Sequence, residues 1–375
     1  MRSGPEDFSE VKKFIKKALI FSFPYLIFFA FTFYLFIRSG EAVSIDSIIK
    51  RQKSGEPILL GLAYTNPIFY YKLHSVLERT PRVLVLGSSR TMQIRSVFFS
   101  DVASFYNAGG GVSRLKDFRI FLEKIPRGQE PNLIIIGLDH NFFSARWDAS
   151  VLDEDSFERY DTYDAAIRIM AMKWPTLYHD WFQNKFSIHT LKQYDETRRI
   201  GLNALMNNNG FRNDGSRLDA ILMKSTSEEH LRSIIEWDGK FFSDGINPQA
   251  LEELSLFLSE ARERDITIIG FEPPFAPSLY QDLLRSQEHL GYIFKLEPEL
   301  KPLFQKYGYS LYNFTDALFF GSSDQEMLDA IHGSEKTYLR LFIAMAKVDY
   351  FLASLIDIAK LEEALRTSIN PYQVF

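Results

Sequence analysis

Val83-Leu84-Val85-Leu86-Gly87-Ser88-Ser89-Arg90 decides how the rest of the chain is read. Four apolar residues run without alternation into a glycine, and two serines follow. An unbroken apolar run of this length is the pattern of a parallel strand covered on both faces. Residues 133–138 and 266–271 repeat it, and 309–314 is a weaker fourth run. Between them lie helical patterns. In 248–264, Leu251, Leu254, Leu258 and Ala261 share one face and charges fill the other. Strand and helix in alternation predict an α/β sheet with right-handed crossovers. Residues 144–245 interrupt that alternation with short amphipathic helical patterns and a polar Asn207-Asn208-Asn209-Gly210 turn, so they read as an insertion, a candidate cap over the site. Residues 336–366 read as helical and close the domain.

Residues 18–37 contain no charge. As a helix, twenty residues at about 1.5 Å each reach about 30 Å, the thickness of a bilayer core. Lys12, Lys13, Lys16 and Lys17 precede the span and Arg38 follows it, which places the basic segment 1–17 in the cytoplasm and everything after the span outside. A cleaved signal peptide, with Gly40 and Ala42 at the cleavage site, is the competing reading, against which the apolar stretch is long. Residues 38–80 read as a stalk or linker with helical pieces, 81–366 as the α/β domain with its insertion and 367–375 as a tail.

The net charge of −5 argues against a nucleic-acid partner, and the absence of cysteine excludes disulfides, thiolate metal sites and a cysteine nucleophile. No Asp/Glu/His spacing suggests a metal, and nothing suggests a dissociable cofactor.

Four motifs carry chemistry. A serine at the carboxyl end of a parallel strand, at a helix start, stands where α/β sheets bind ligands and where free N–H groups stabilise negative charge; helix capping by Ser88 or Ser89 is the plainer reading. Asp329-Ala330-Ile331-His332 supplies a base with a carboxylate one turn before it, and of the 7 histidines only His332 has a carboxylate at that distance. Tyr106-Asn107-Ala108-Gly109-Gly110-Gly111 reads as a glycine-rich turn whose N–H groups can approach an oxyanion. Gly137-Leu138-Asp139-His140-Asn141 clusters polar groups at the end of the second apolar run.

The order of these blocks resembles the SGNH/GDSL hydrolase superfamily over roughly 82–346, the insertion excepted. The resemblance implies a flavodoxin-like three-layer sandwich. It also implies Ser89 as nucleophile, His332 as base, Asp329 as its orienting partner, and the Ser89 and Gly109 amides as oxyanion donors. Where the family carries an asparagine donor this chain has Asp139, and an ionised aspartate cannot donate. Either Asp139 has another task, such as orienting a donor, or Asn141 reaches in, or the hole uses two amides alone. Loss of one donor lowers rate by about 10²–10³, which favours a transferase or a slow hydrolase. The Gly-Ser-Ser variant behind one anchoring helix, with Glu272-Pro273-Pro274-Phe275-Ala276-Pro277 after the third run, is similar to the branch that includes DltD and the alginate O-acetylation proteins. That branch works beside membrane-bound O-acyltransferases. It implies transfer of an acyl group, most simply acetyl, to an extracytoplasmic glycan. An O-acetylesterase and a non-catalytic assembly partner are the alternatives. Arg90 and Arg114 are candidate substrate-binding residues, with salt bridging as the plainer reading. Trp147, Trp174, Trp181 and Trp237 all fall in the insertion, as sugar platforms or as packing.

Overall fold

The apolar runs form strands of one five-stranded, all-parallel sheet: β1 (Val83–Gly87), β2 (Phe105–Gly109), β3 (Leu133–Gly137), β4 (Thr267–Glu272) and β5 (Ser310–Asn313). Their spatial order is β2-β1-β3-β4-β5. The computed structural model describes residues 5–150, 163–192, 198–219, 241–285 and 289–375.

The absence of alternation in the runs has its cause in two cores. Leu84, Leu86, Ile134, Ile136 and Ile268 point into a core shared with helices α3 (Ile68–Arg79), α4 (Leu115–Glu123), α6 (Pro248–Glu263) and α8 (Leu296–Tyr307). Val83, Val85, Leu133, Ile135 and Ile269 point the other way, into a core with α9 (Glu335–Ala346) and α10 (Ile358–Thr367). Alternate residues of a strand face opposite sides, so a sheet covered on both sides needs apolar residues at every position. Local signals set the helix starts. Asn247 accepts from the Gln249 N–H ahead of Pro248, and Ser334 accepts from the Thr337 N–H at the start of α9.

Three expectations change. First, 38–80 is not a stalk. Leu73 and Val76 of α3 belong to the main core. Leu59–Leu60 joins a small four-stranded sheet with Arg199–Ile200, Gly210–Phe211 and Arg217–Leu218 from the insertion. Second, the tail 367–375 is tied to the domain: the Val374 and Phe375 N–H groups both donate to Glu335. Third, the longest described helix of the insertion, α5 (Tyr163–Phe182), is seated elsewhere, and Ser89 is exposed. The helix packs on α1 (Pro5–Arg38), with its Leu177 beside Leu35 and Phe36. The helix α1 is long and apolar enough to cross a membrane. At its end Glu41 is buried and accepts from the Ala63, Tyr64 and Leu202 N–H groups, which ties α1 to the small sheet.

Candidate active site

The strand order reverses direction between β1 and β3, since β2 lies on one side of β1 and β3 on the other. Loops diverge at such a point and open a crevice at the carboxyl ends. Ser89 follows β1 and Asp139 follows β3 there.

The structure brings Ser89, His332 and Asp329 together. Ser89 Oγ lies 2.8 Å from His332 Nε2, and His332 Nδ1 lies 2.7 Å from Asp329 Oδ2. With a carboxylate at Nδ1, the proton belongs on Nδ1 and Nε2 is left to accept from the serine hydroxyl. The two serines divide the work: Ser88 Oγ accepts from the Arg90 N–H and caps the turn, while Ser89 is exposed and faces His332.

The serine turn rests on the sheet through Thr91. A Cβ on Gly87, Gly109 or Gly137 would come within 2.5, 2.5 and 2.3 Å, respectively, of a Thr91 side-chain atom. Three adjacent strands therefore end in glycine for one reason: a side chain at any of them occupies the space of Thr91. Asn107 completes the seat, donating from Nδ2 to the carbonyls of Thr91 at 2.9 Å and Ile94 at 2.7 Å.

This packing corrects the expectation for Gly109. Of the stretch read as a glycine turn, Tyr106–Gly109 lies in strand β2 and only Gly110 and Gly111 turn after it, and the Gly109 N–H donates to Asn107 Oδ1 at 2.6 Å. Gly110 N–H donates to the carbonyls of Gly87 and Ser88, and Gly111 N–H to that of Ala108. None of these three amides faces an oxyanion. Ser89, at the first position of its turn, keeps an N–H with no acceptor inside that turn. Asn141 is nearly buried in the turn His140–Phe143, and its side chain makes no hydrogen bond among the described residues.

Arg90 reaches the site but not as a free substrate ligand. It is 4 % exposed and donates from Nε to the Ile331 carbonyl, from Nη1 to Asp139 Oδ1 and His140 Nδ1, and from Nη2 to the Pro273 and Pro274 carbonyls. Its guanidinium also lies over Phe275, 4.5 Å from the ring centre. One side chain thus joins the serine turn, the end of β3, the Pro-Pro loop and the histidine loop. The hydroxyl of Tyr338 secures the Arg90 carbonyl. Arg114 is likewise engaged, pairing with Asp117 at 3.3 Å at the start of α4.

Asp139 is the ionic partner of Arg90, at 3.1 Å. Burial pushes its carboxyl pKa up, and Arg90 acts against that. Its Oδ2 has no hydrogen-bond partner among the described residues. Asp329 goes the other way. Burial raises its pKa, but the hydrogen bond and charge of His332, with the Ile331 and His332 N–H groups, hold it down at about 2.

Glu272, at the end of β4, escaped the sequence reading except as part of the Pro-Pro loop. It is 2 % exposed, its Oε1 has no partner among the described residues, and burial, then Glu297, push its pKa up to about 8 against the pull of Arg90. Of the tryptophans, Trp147 stacks on Phe241 and donates to the Ser113 carbonyl, Trp174 and Trp181 lie on α1, and Trp237 lies outside the described residues.

No family model matches the chain, and neither the curated proteins nor the solved structures contain a match.

Proposed function

We propose that this protein is a serine acyl-handling enzyme of the SGNH/GDSL type, built on a flavodoxin-like three-layer sandwich. It is held by α1 at the cytoplasmic membrane, N-terminus inside and catalytic unit outside. The observation that carries the reading is the continuous relay Asp329–His332–Ser89, at 2.7 and 2.8 Å. The strand order and the place of Ser89 at the reversal point support the fold assignment.

The chemistry follows from the relay. His332 Nε2 takes the Ser89 proton as Oγ bonds to the acyl carbon, and Asp329 stabilises the imidazolium that forms. The negative charge moves to the carbonyl oxygen, where the Ser89 N–H and the Asn141 amide are the available donors. Collapse breaks the bond to the leaving oxygen, which takes the proton from His332 and departs, leaving acyl-Ser89. An acceptor hydroxyl then gives its proton to His332 and attacks the acyl carbon; the bond to Ser89 Oγ breaks and His332 returns that proton to the departing serine oxygen. Asp139 does not donate here; it holds Arg90, and Arg90 holds the loops. The donor is an acyl group, acetyl in the simplest case, delivered by a membrane-bound O-acyltransferase, and the acceptor is an extracytoplasmic glycan hydroxyl. The exposure of Ser89 favours one second reading: with water as acceptor the same residues make an O-acetylesterase.

The test is labelling of the full chain with a fluorophosphonate probe. Wild type labels and Ser89→Ala does not. Absence of labelling in a folded wild type overturns the catalytic reading and leaves a non-catalytic partner of the acyltransferase.

A further inference from the structure

The helix α5 carries an apolar surface that the catalytic reading does not use. Its inward side is seated on the second half of α1. Phe28 meets Trp174 edge-on at 5.3 Å and stacks on Tyr178 at 5.4 Å, and Phe31 meets Trp181 at 5.7 Å. The Tyr178 hydroxyl is satisfied by Thr32 Oγ1 at 3.0 Å, and Asp180, near the end of α5, accepts from the Tyr64 hydroxyl of the main body. The two helices are therefore fixed at one height. On the outward side of α5, the exposed positions 171, 172, 175, 176, 179 and 182 include no Asp, Glu, Lys or Arg, and Lys173 and Asp180 are half-buried. Met172 is 72 % exposed and Phe182 76 %. A helix facing water carries charges on its outer side; among its described positions, 169–182, this one exposes none.

The height follows from α1. A bilayer core takes about 20 residues of helix, so a span that begins after Lys17 includes residues 28–37. On the side of α1 away from α5 that stretch exposes Phe29, Tyr34 and Ile37. A helix seated on residues 28–32 and apolar on its own outer side shares that environment. Tryptophan and tyrosine along the pair are the residues that favour the interface.

We propose that α5 is a second membrane-engaging element, embedded beside α1 in the outer half of the bilayer, with lipid as the occupant of its outward face. The arrangement pins the insertion to the membrane and gives the catalytic unit two points of attachment.

Because the chain has no cysteine, single cysteines report without background. Leu26→Cys on α1, Met172→Cys and Phe182→Cys on α5, and Lys301→Cys on α8 are introduced into the full chain, labelled with an environment-sensitive nitrobenzoxadiazole dye and reconstituted in phosphatidylcholine vesicles. Brominated lipid is expected to quench the dye at 172 and 182 as strongly as at 26, with emission shifted to the blue, and to leave 301 unchanged. Quenching at 26 but not at 172 and 182, with water-like emission there, overturns the proposal. Blue emission without quenching at 172 and 182 overturns it too, because protein and not lipid then covers the face. No quenching at 26 removes its premise.

Discussion

The two halves of the candidate site are held by different forces. The serine half is held by shape: Thr91 fills the space left by Gly87, Gly109 and Gly137, and Asn107 ties the turn down from below. The histidine half sits on a loop outside the sheet and is held by polar bonds. Leu328 N–H donates to the His332 carbonyl, Ala276 N–H to that of Ala330, and Asp329 accepts from two N–H groups of its own turn. Arg90 bridges the halves. A half held by shape tolerates no added volume, whereas a half held by polar bonds tolerates volume but not a change of charge or proton.

That contrast can be broken from either side. The largest effect is expected from Asp329→Asn, which keeps the shape but leaves His332 without the carboxylate that sets its tautomer. Probe labelling should fall by about 10⁴-fold, as in a serine triad so altered, while the fold persists. A fall of less than tenfold means that Asp329 only shapes the loop. Because the folded pKa of Asp329 lies below its ordinary value, its contribution to stability is complete above the unfolded value and is lost as pH falls toward about 2.

Gly137→Ala attacks the other half. The new methyl comes within 2.3 Å of Thr91 Cγ2, and overpacking of this kind costs about 1–3 kcal/mol. Urea unfolding should register that loss together with slower labelling. Thr91→Ser deletes the obstructing Cγ2, so the double variant should recover most of both. A double variant as impaired as the single one shows that shape does not govern this half.

The smallest effect belongs to the seam, at Glu272. Its folded pKa of about 8 lies above the ordinary 4.5. Between those values the unfolded chain binds fewer protons than the folded one, so stability falls as pH rises through this window. Glu272→Gln should flatten the dependence and raise the thermal midpoint by a few degrees at pH 8, with little change at pH 5. Equal slopes in wild type and variant mean that the carboxyl is charged throughout.

Legibility in the sequence followed the same division. The continuous apolar runs were readable because covering both faces leaves no position for a polar residue. Strand β2 was not readable, since Asn107 and Gly109 look like a turn until Thr91 and Ile94 are seen as the partners of Asn107. Asp329 and His332 stood out by their spacing, and Ser89 by an order of blocks that resembles the SGNH/GDSL superfamily. Arg90 looked like a substrate ligand because its acceptors at Asp139, Pro273, Pro274 and Ile331 are scattered along the chain. Residues 38–80 looked like a linker because their helical pieces and the two-residue strand Leu59–Leu60 find their partners far along the chain.

By itself the sequence determined the alternation of strands and helices, the apolar span and the Asp329–His332 pair as candidate base and partner. Each rests on neighbours in the chain, where period, length and spacing act directly. Tertiary structure alone decided which serine faces the histidine, which amides remain free, what the glycines make room for and where α5 lies. Each of those depends on two surfaces that are far apart in sequence and meet only after folding, and burial and hydrogen-bond satisfaction are properties of the meeting.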